Sequence, residues 1–108
     1  MNISELIPEG YDNAVSLKDI TEKAVHFGLV KPTNNAPRTT RALIHNARRN
    51  EAILNLQDGR GYFKPTADDI DKLSQYLRQE KNRIIGIARE ISHATKLLED
   101  MREGRLDG

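Results

Sequence analysis

The chain has 108 residues, which suffices for one small hydrophobic core and excludes two independent ones. Hydrophobic residues make up 37% and charged residues 31% of it, so a modest core should carry a heavily charged surface. Cysteine and tryptophan are absent and 5% of the residues are aromatic. This composition excludes disulfides, thiol catalysis and cysteine zinc sites, and argues against an aromatic platform for single-stranded nucleic acid.

The charge is distributed unevenly, although the net charge is +1. From Lys31 to Lys64 the bases outnumber the acids by five, whereas from Thr66 onward nine acids face eight bases. A central basic block of this kind is typical of a surface that binds a polyanion. Its bases are Lys31, Arg38, Arg41, Arg48, Arg49, Arg60 and Lys64, and its acids are Glu51 and Asp58.

Two short helices are predicted near the N-terminus. Ile3, Leu6 and Ile7 have the i, i+3, i+4 spacing of an amphipathic helix, which Pro8 would end. Ser16 is a favourable N-cap for the second helix, and Gly28 should end it. Its buried face is predicted to hold Leu17, Ile20, Ala24 and Phe27.

A third helix is predicted from Pro37, whose missing N–H is tolerated in a first turn, to about Asn50. Its core face should hold Leu43, Ile44 and Ala47. The opposite face is rich in arginine, whose planar fork fits guanine edges and phosphates in the major groove of DNA. The predicted DNA-contacting residues of this helix are Arg38, Thr40, Arg41, His45, Arg48 and Arg49.

A β-hairpin should follow, with strands over residues 52–56 and 62–64. The dipeptide Asp58-Gly59 indicates a tight turn between them. Arg60 at the tip and Lys64 on the return strand are predicted to contact phosphates, which adds salt-dependent affinity without sequence information.

Thr66 and Asp69 form a capping-box pattern that begins one long helix, predicted to reach residue 103. Its heptad a and d positions are apolar except for Glu80, which predicts a coiled-coil or bundle seam. A second copy of the chain is the simplest partner, and packing back onto the same chain is the alternative. The predicted dimerisation residues are Leu77, Ile84, Ile87, Ile91, Ala94, Leu98 and Met101.

Two further features of this helix affect its packing. Ile85, Ala88 and Leu97 widen the apolar stripe, so antiparallel or four-helix packing fits it as well as a parallel zipper. Glu80 at a d position and Gly86 predict a kink or break between residues 80 and 86.

The sequence therefore predicts a mainly α fold with a small β-hairpin, in the α+β class. Residues 1–65 would form a winged helix-turn-helix, residues 66–103 a long dimerisation helix, and residues 104–108 a frayed tail. The runs NAVSLKDI, RTTRALIHNARRNEAIL and GRGYFKP resemble small winged helix-turn-helix proteins of phages and mobile elements of Gram-positive bacteria.

The resemblance implies a double-stranded DNA-binding protein that acts in transcription, replication or excision of a phage or mobile element. One departure concerns the connection from Gly28 to Pro37, which is longer than the turn of about 3–4 residues in the strict motif. This difference leaves open whether the two helices keep the usual geometry. The alternative function is a protein-binding module, an antirepressor or host-factor binder, that uses the C-terminal helix and keeps the winged unit as a scaffold.

No catalytic pattern stands out. His26, His45 and His93 lie in three separate predicted helices without metal-ligand spacing, and no glycine-rich phosphate loop is present. We therefore expect no enzymatic activity, cofactor or metal. No apolar run is long enough to cross a bilayer and the N-terminus lacks the features of a secretory signal, so a cytoplasmic protein without membrane contact is expected.

Overall fold

The computed structural model describes residues 1–104. The protein is mainly helical with a small antiparallel sheet of two strands, which confirms the predicted α+β class. The helices are α1 (Leu17–His26), α2 (Ala36–Ala47) and α3 (Ile70–Arg102), and the strands are β1 (Leu54–Asn55) and β2 (Tyr62–Phe63). Short 3-10 helices span Ile3–Leu6, Tyr11–Asn13 and Ala67–Asp69.

The contacts group the chain into two compact units, Met1–Tyr76 and a second unit that begins at Leu77. The sequence interpretation placed a division at residue 65, but the first turns of α3 belong to the first unit. Leu73 and Tyr76 pack against a buried cluster of Leu54, Leu56 and Phe63, which explains this grouping. The predicted tail lies outside the described residues except for Gly104.

The N-terminal segment forms a 3-10 helix instead of the predicted amphipathic α-helix. Asn2 and Glu5 form a capping box around its first turn, and Ile3 and Ile7 are buried in the core. The apolar spacing therefore identified the buried residues, whereas the helix type was wrong because Pro8 leaves room for a single turn.

Helix α1 begins and ends where its capping residues predict. Ser16 Oγ accepts a hydrogen bond from the Asp19 N–H at 3.1 Å. At the other end Gly28 has a φ of +76°, and the Leu29 N–H donates to the Ala24 carbonyl at 2.8 Å, the pattern of a Schellman motif. Phe27 was predicted to be buried but is 50% exposed, because it is the C-cap residue where the chain leaves the helix.

The core lies between α1, α2 and the sheet. Ile20 and Ile44 are fully buried, and Ile53 and Tyr62 join the same cluster. In the sheet Leu54 pairs with Phe63 and Asn55 with Tyr62. Tyr62 also exchanges two backbone hydrogen bonds with Val15, at 2.7 and 3.0 Å, so the segment before α1 is tied to the second strand of the hairpin.

Helix α3 is continuous through residues 80–86, so the predicted alternative of a break there is wrong, and a kink there stays a prediction. Glu80 is only partly exposed, and its carboxylate forms an ion pair with Arg83 one turn away, at 2.8 Å. Six of the predicted dimerisation side chains are between 46% and 63% exposed, and Ala94 is exposed as well. Among the described residues, no helix combines the length and apolar character that crossing a membrane requires.

Candidate nucleic-acid interface

The exposed face of α2 carries Arg38, Arg41, His45 and Arg49, the last just beyond the helix end. With about 3.6 residues per turn, Arg38, Arg41 and His45 share one side of the helix, and Arg49 is exposed in the turn that follows Ala47. Ala36, Thr40 and Ile44 lie on the opposite side and are buried. Within residues 1–104, none of the arginines on this face forms an ion pair or a hydrogen bond with another side chain.

The local charge of α2 is entirely basic. No acid lies in its first turn, and Asn35, the N-cap residue, makes no side-chain capping hydrogen bond. Arg38 stands in that first turn, at the end where the helix dipole disfavours a cation. Arg38 and Arg41 are also three residues apart, a spacing at which like charges repel each other.

Thr40 was predicted to contact DNA, and the structure corrects this. Thr40 is completely buried, and its Oγ1 donates a hydrogen bond to the Ala36 carbonyl at 2.9 Å. Its hydroxyl is therefore satisfied inside the core and cannot reach a ligand on the helix surface.

The structure also corrects the prediction that Arg48 contacts DNA. Its Nε donates to the Ile53 carbonyl at 2.9 Å, and its guanidinium lies 5.8 Å from the centre of the Tyr62 ring. Arg48 is half-buried as the C-cap residue of α2, whereas Arg49 is exposed. Arg48 therefore connects the end of α2 to the hairpin, and Arg49 is the one that remains available to a ligand.

Lys64 is also occupied within the chain. Its Nζ lies 3.3 Å from Glu51 Oε1, and Glu51 accepts a second hydrogen bond from Ser4 Oγ. These hydrogen bonds, first from Ser4 and then from Lys64, hold the pKa of the Glu51 carboxyl below its usual value. We therefore correct the prediction that Lys64 contacts phosphate, because its partly buried charge already has a carboxylate partner.

The loop between the strands is fixed by Tyr11. The Tyr11 hydroxyl donates to Asp58 Oδ2 at 2.6 Å, which lowers the pKa of the Asp58 carboxyl and raises the pKa of the Tyr11 hydroxyl. The Arg60 guanidinium lies 4.8 Å and the Lys72 ammonium 4.4 Å from the centre of the Tyr11 ring. Arg60 also lies 3.9 Å from Asp12, in a surface ion pair that is weak and easily exchanged for another anion.

The structure thus places Arg38, Arg41 and His45 on one helix face and Arg49 just beyond the end of that helix. Arg60 lies on the exposed loop of the hairpin, where it contacts Asp12 and Tyr11. Thr40, Arg48 and Lys64 make internal contacts instead. The sequence interpretation missed Asn46, which is exposed beside His45 on α2 and offers an amide that can read adenine. It also missed Tyr11, because nothing in its local sequence indicates that the loop of the hairpin packs over it.

A scan against protein-family models and searches of curated proteins and of solved structures found no match to this chain. Among the described residues, no group of three His, Cys, Asp or Glu side chains is arranged to hold a metal ion.

Proposed function

We propose that this protein is a cytoplasmic double-stranded DNA-binding protein whose helix α2 enters the major groove. The observation that carries the proposal is the acid-free face of α2, where Arg38, Arg41 and Arg49 have no partner within the described chain. A helix in the major groove needs polar donors on one side and a buried anchor on the other. Ile44 supplies that anchor because it is fully buried.

The order of elements supports a winged helix-turn-helix arrangement. Helix α1 is followed by the basic helix α2, and the hairpin follows α2 directly. The loop between β1 and β2 would act as the wing, with Arg60 contacting a phosphate after releasing Asp12. The connection between α1 and α2, residues 27–35, is longer than in the strict motif, so it is the part of the proposed fold that departs most from it.

The energetic character of α2 favours a ligand over a merely solvated surface. Arg38 opposes the helix dipole, and the neighbouring arginines repel each other. Neither the position of Arg38 nor the closeness of the arginines is needed to pack the core, since these side chains are exposed. A polyanion would offset both effects, because phosphates neutralise the arginines and also interact favourably with the positive end of a helix.

We further propose that two copies associate through the exposed apolar stripe of α3. Two copies would present two α2 helices, which suits a target with two-fold symmetry. In line with the resemblance, such a protein would serve transcription, replication or excision of a phage or mobile element.

Binding is tested by fluorescence polarisation of a labelled random duplex at two salt concentrations. We expect Arg41→Gln and Arg49→Gln each to weaken binding and to reduce the slope of log K against log salt by about 0.9 for each lost phosphate contact. Because both side chains are exposed, the free energy of unfolding should change by less than about 0.5 kcal/mol.

Arg89→Gln is the matched control, because it removes the same charge from an exposed position on α3. It should bind the duplex like the parent protein. The proposal fails if the parent shows no salt-dependent duplex binding, or if the two α2 variants bind as tightly as the control.

One observation favours a second candidate function, a protein-binding module. The exposed side chains of α3 could bind an antirepressor target or a host factor, with the first unit as a scaffold. Native mass measurement separates a second copy from a different protein as the partner of α3, because a strictly monomeric chain would favour the different protein. The duplex titration tests DNA binding separately.

A further inference from the structure

We infer that α3 pairs antiparallel with α3 of a second copy, in a register centred between Ser92 and His93. This inference rests on the self-association proposed above and is independent of DNA binding. It concerns the second unit, where the apolar seam is exposed and continuous from Ile84 to Met101.

The seam is symmetric about its own centre. Its a and d residues are Ile84, Ile87, Ile91, Ala94, Leu98 and Met101. In an antiparallel pair an a residue faces a d residue, so Ile84 would face Met101 of the second copy and Ile87 would face Leu98. The central Ile91 would then face Ala94, so each layer combines a larger with a smaller or more flexible side chain, which is how well-packed cores fill space.

A parallel pair fits the same residues poorly. It would place Ala94 against Ala94 and leave that layer underfilled. It would also place the carboxylates of two Glu80 residues in one layer, where like charges repel. Ile87 at a d position further disfavours a parallel dimer, because two-stranded parallel coils favour leucine there.

The charges along α3 also favour the antiparallel arrangement. The half before the centre, residues 77–92, has four bases and two acids, whereas residues 93–104 have two bases and three acids. The two halves therefore carry opposite net charges. An antiparallel pair sets the positive half of one copy against the negative half of the other, while a parallel pair sets like against like.

Spin-label distances test the orientation, and the cysteine-free chain allows one label at a chosen position. Labels at Arg78→Cys should be about 45 Å apart in the antiparallel register, since the helix rises about 1.5 Å per residue. A parallel pair would bring the same labels within about 25 Å, because paired helices lie about 8–10 Å apart. Labels at Ser92→Cys, near the centre, should be within about 25 Å in the antiparallel register.

The oligomeric state of variants tests the proposed interface between the two α3 helices. Ile91→Asn should shift the chain from dimer to monomer in native mass spectrometry, because it places an amide at the centre of the seam. Ile70→Asn is the matched control, since Ile70 is also an exposed isoleucine of α3 but lies before the seam, which runs from Ile84 to Met101, and it should remain dimeric.

Each outcome decides something different. A dimer with distant Arg78→Cys labels and close Ser92→Cys labels supports the inference. A dimer with close Arg78→Cys labels overturns the orientation and leaves self-association intact. A parent protein that is monomeric overturns both this inference and the proposed self-association, while the duplex titration still decides DNA binding separately.

Discussion

Single residues decide which of the basic side chains can reach a ligand. Arg48 and Arg49 are neighbours in sequence, but Arg48 is held by the Ile53 carbonyl while Arg49 is exposed. Lys64 is similarly held by Glu51. The central basic block therefore contains two kinds of cation, some that join elements of the fold and some that have no partner in the described chain.

Among the glycines of the described residues, Gly61 leaves the least space for a side chain. It has a φ of +100°, and a Cβ there would lie 2.0 Å from the Val15 carbonyl oxygen. That carbonyl accepts the Tyr62 N–H, so Gly61 allows the segment before α1 to pair with the hairpin. The sequence pattern indicated a turn at this point, but not the contact with Val15, which comes from a distant part of the chain.

We expect Gly61→Ala to lower the free energy of unfolding by about 3 kcal/mol or more, because it combines backbone strain with a clash against backbone atoms. Gly59→Ala is the matched control. Gly59 also has a positive φ, +86°, but its Cβ would meet nothing within 4 Å, so the expected loss is about 1–2 kcal/mol. Urea unfolding of the two variants measures the difference. Equal losses would contradict the assigned role of the Val15 contact.

At the scale of elements, prediction succeeded where a local signal was strong. Helix α1 begins after Ser16 and ends before Gly28, as expected. Both residues act through neighbouring backbone groups, which is why the sequence alone predicts their effect. The burial of Thr40 was missed, although Ala36, Thr40 and Ile44 follow the spacing of one helix face.

Prediction failed where tertiary contacts decide the outcome. Helix α2 was expected to reach Asn50 but ends at Ala47, and beyond that point helical spacing no longer determines which side chain faces the solvent. The strands are likewise shorter than predicted, and the loop between them is held by a hydrogen bond from the Tyr11 hydroxyl to Asp58, which lies far from Tyr11 in the sequence.

Helix α2 also yields a test of the idea that its arginines serve a ligand at some expense of stability. We expect Arg38→Gln to raise the free energy of unfolding by about 0.3–1 kcal/mol, since it removes a cation from the positive end of the helix. The same substitution should weaken duplex binding. Urea unfolding and the polarisation titration measure the two effects on one protein sample.

Lys18→Gln is the control for Arg38→Gln, because Lys18 is an exposed cation in the first turn of α1. It should give a similar gain in stability without the loss of duplex binding. If Arg38→Gln instead destabilised the protein, then Arg38 would have a structural role that its exposure does not indicate. If it bound the duplex as well as the parent, then Arg38 would make no contact with DNA.

At the scale of the whole molecule, the two units would contribute through different physical effects. The first unit supplies arginines without partners in the described chain, and under the proposed function each would give a modest, salt-dependent interaction with phosphate. The second unit supplies an exposed apolar seam, which contributes area to be buried against a partner. If the seam joins two copies, both α2 helices can bind one duplex, and the second contact forms within the complex at high effective concentration.

This coupling predicts that Ile91→Asn weakens duplex binding although Ile91 lies in the second unit, away from the arginines of α2 in the sequence. A monomer would carry half of the phosphate contacts, so the slope of log K against log salt should fall to about half of the parent value. Ile70→Asn should keep both the dimer and the full slope. The titration is run with each variant below and above the protein concentration at which the parent dimerises. A monomeric Ile91→Asn protein with the full salt slope would show that a single copy makes all the DNA contacts.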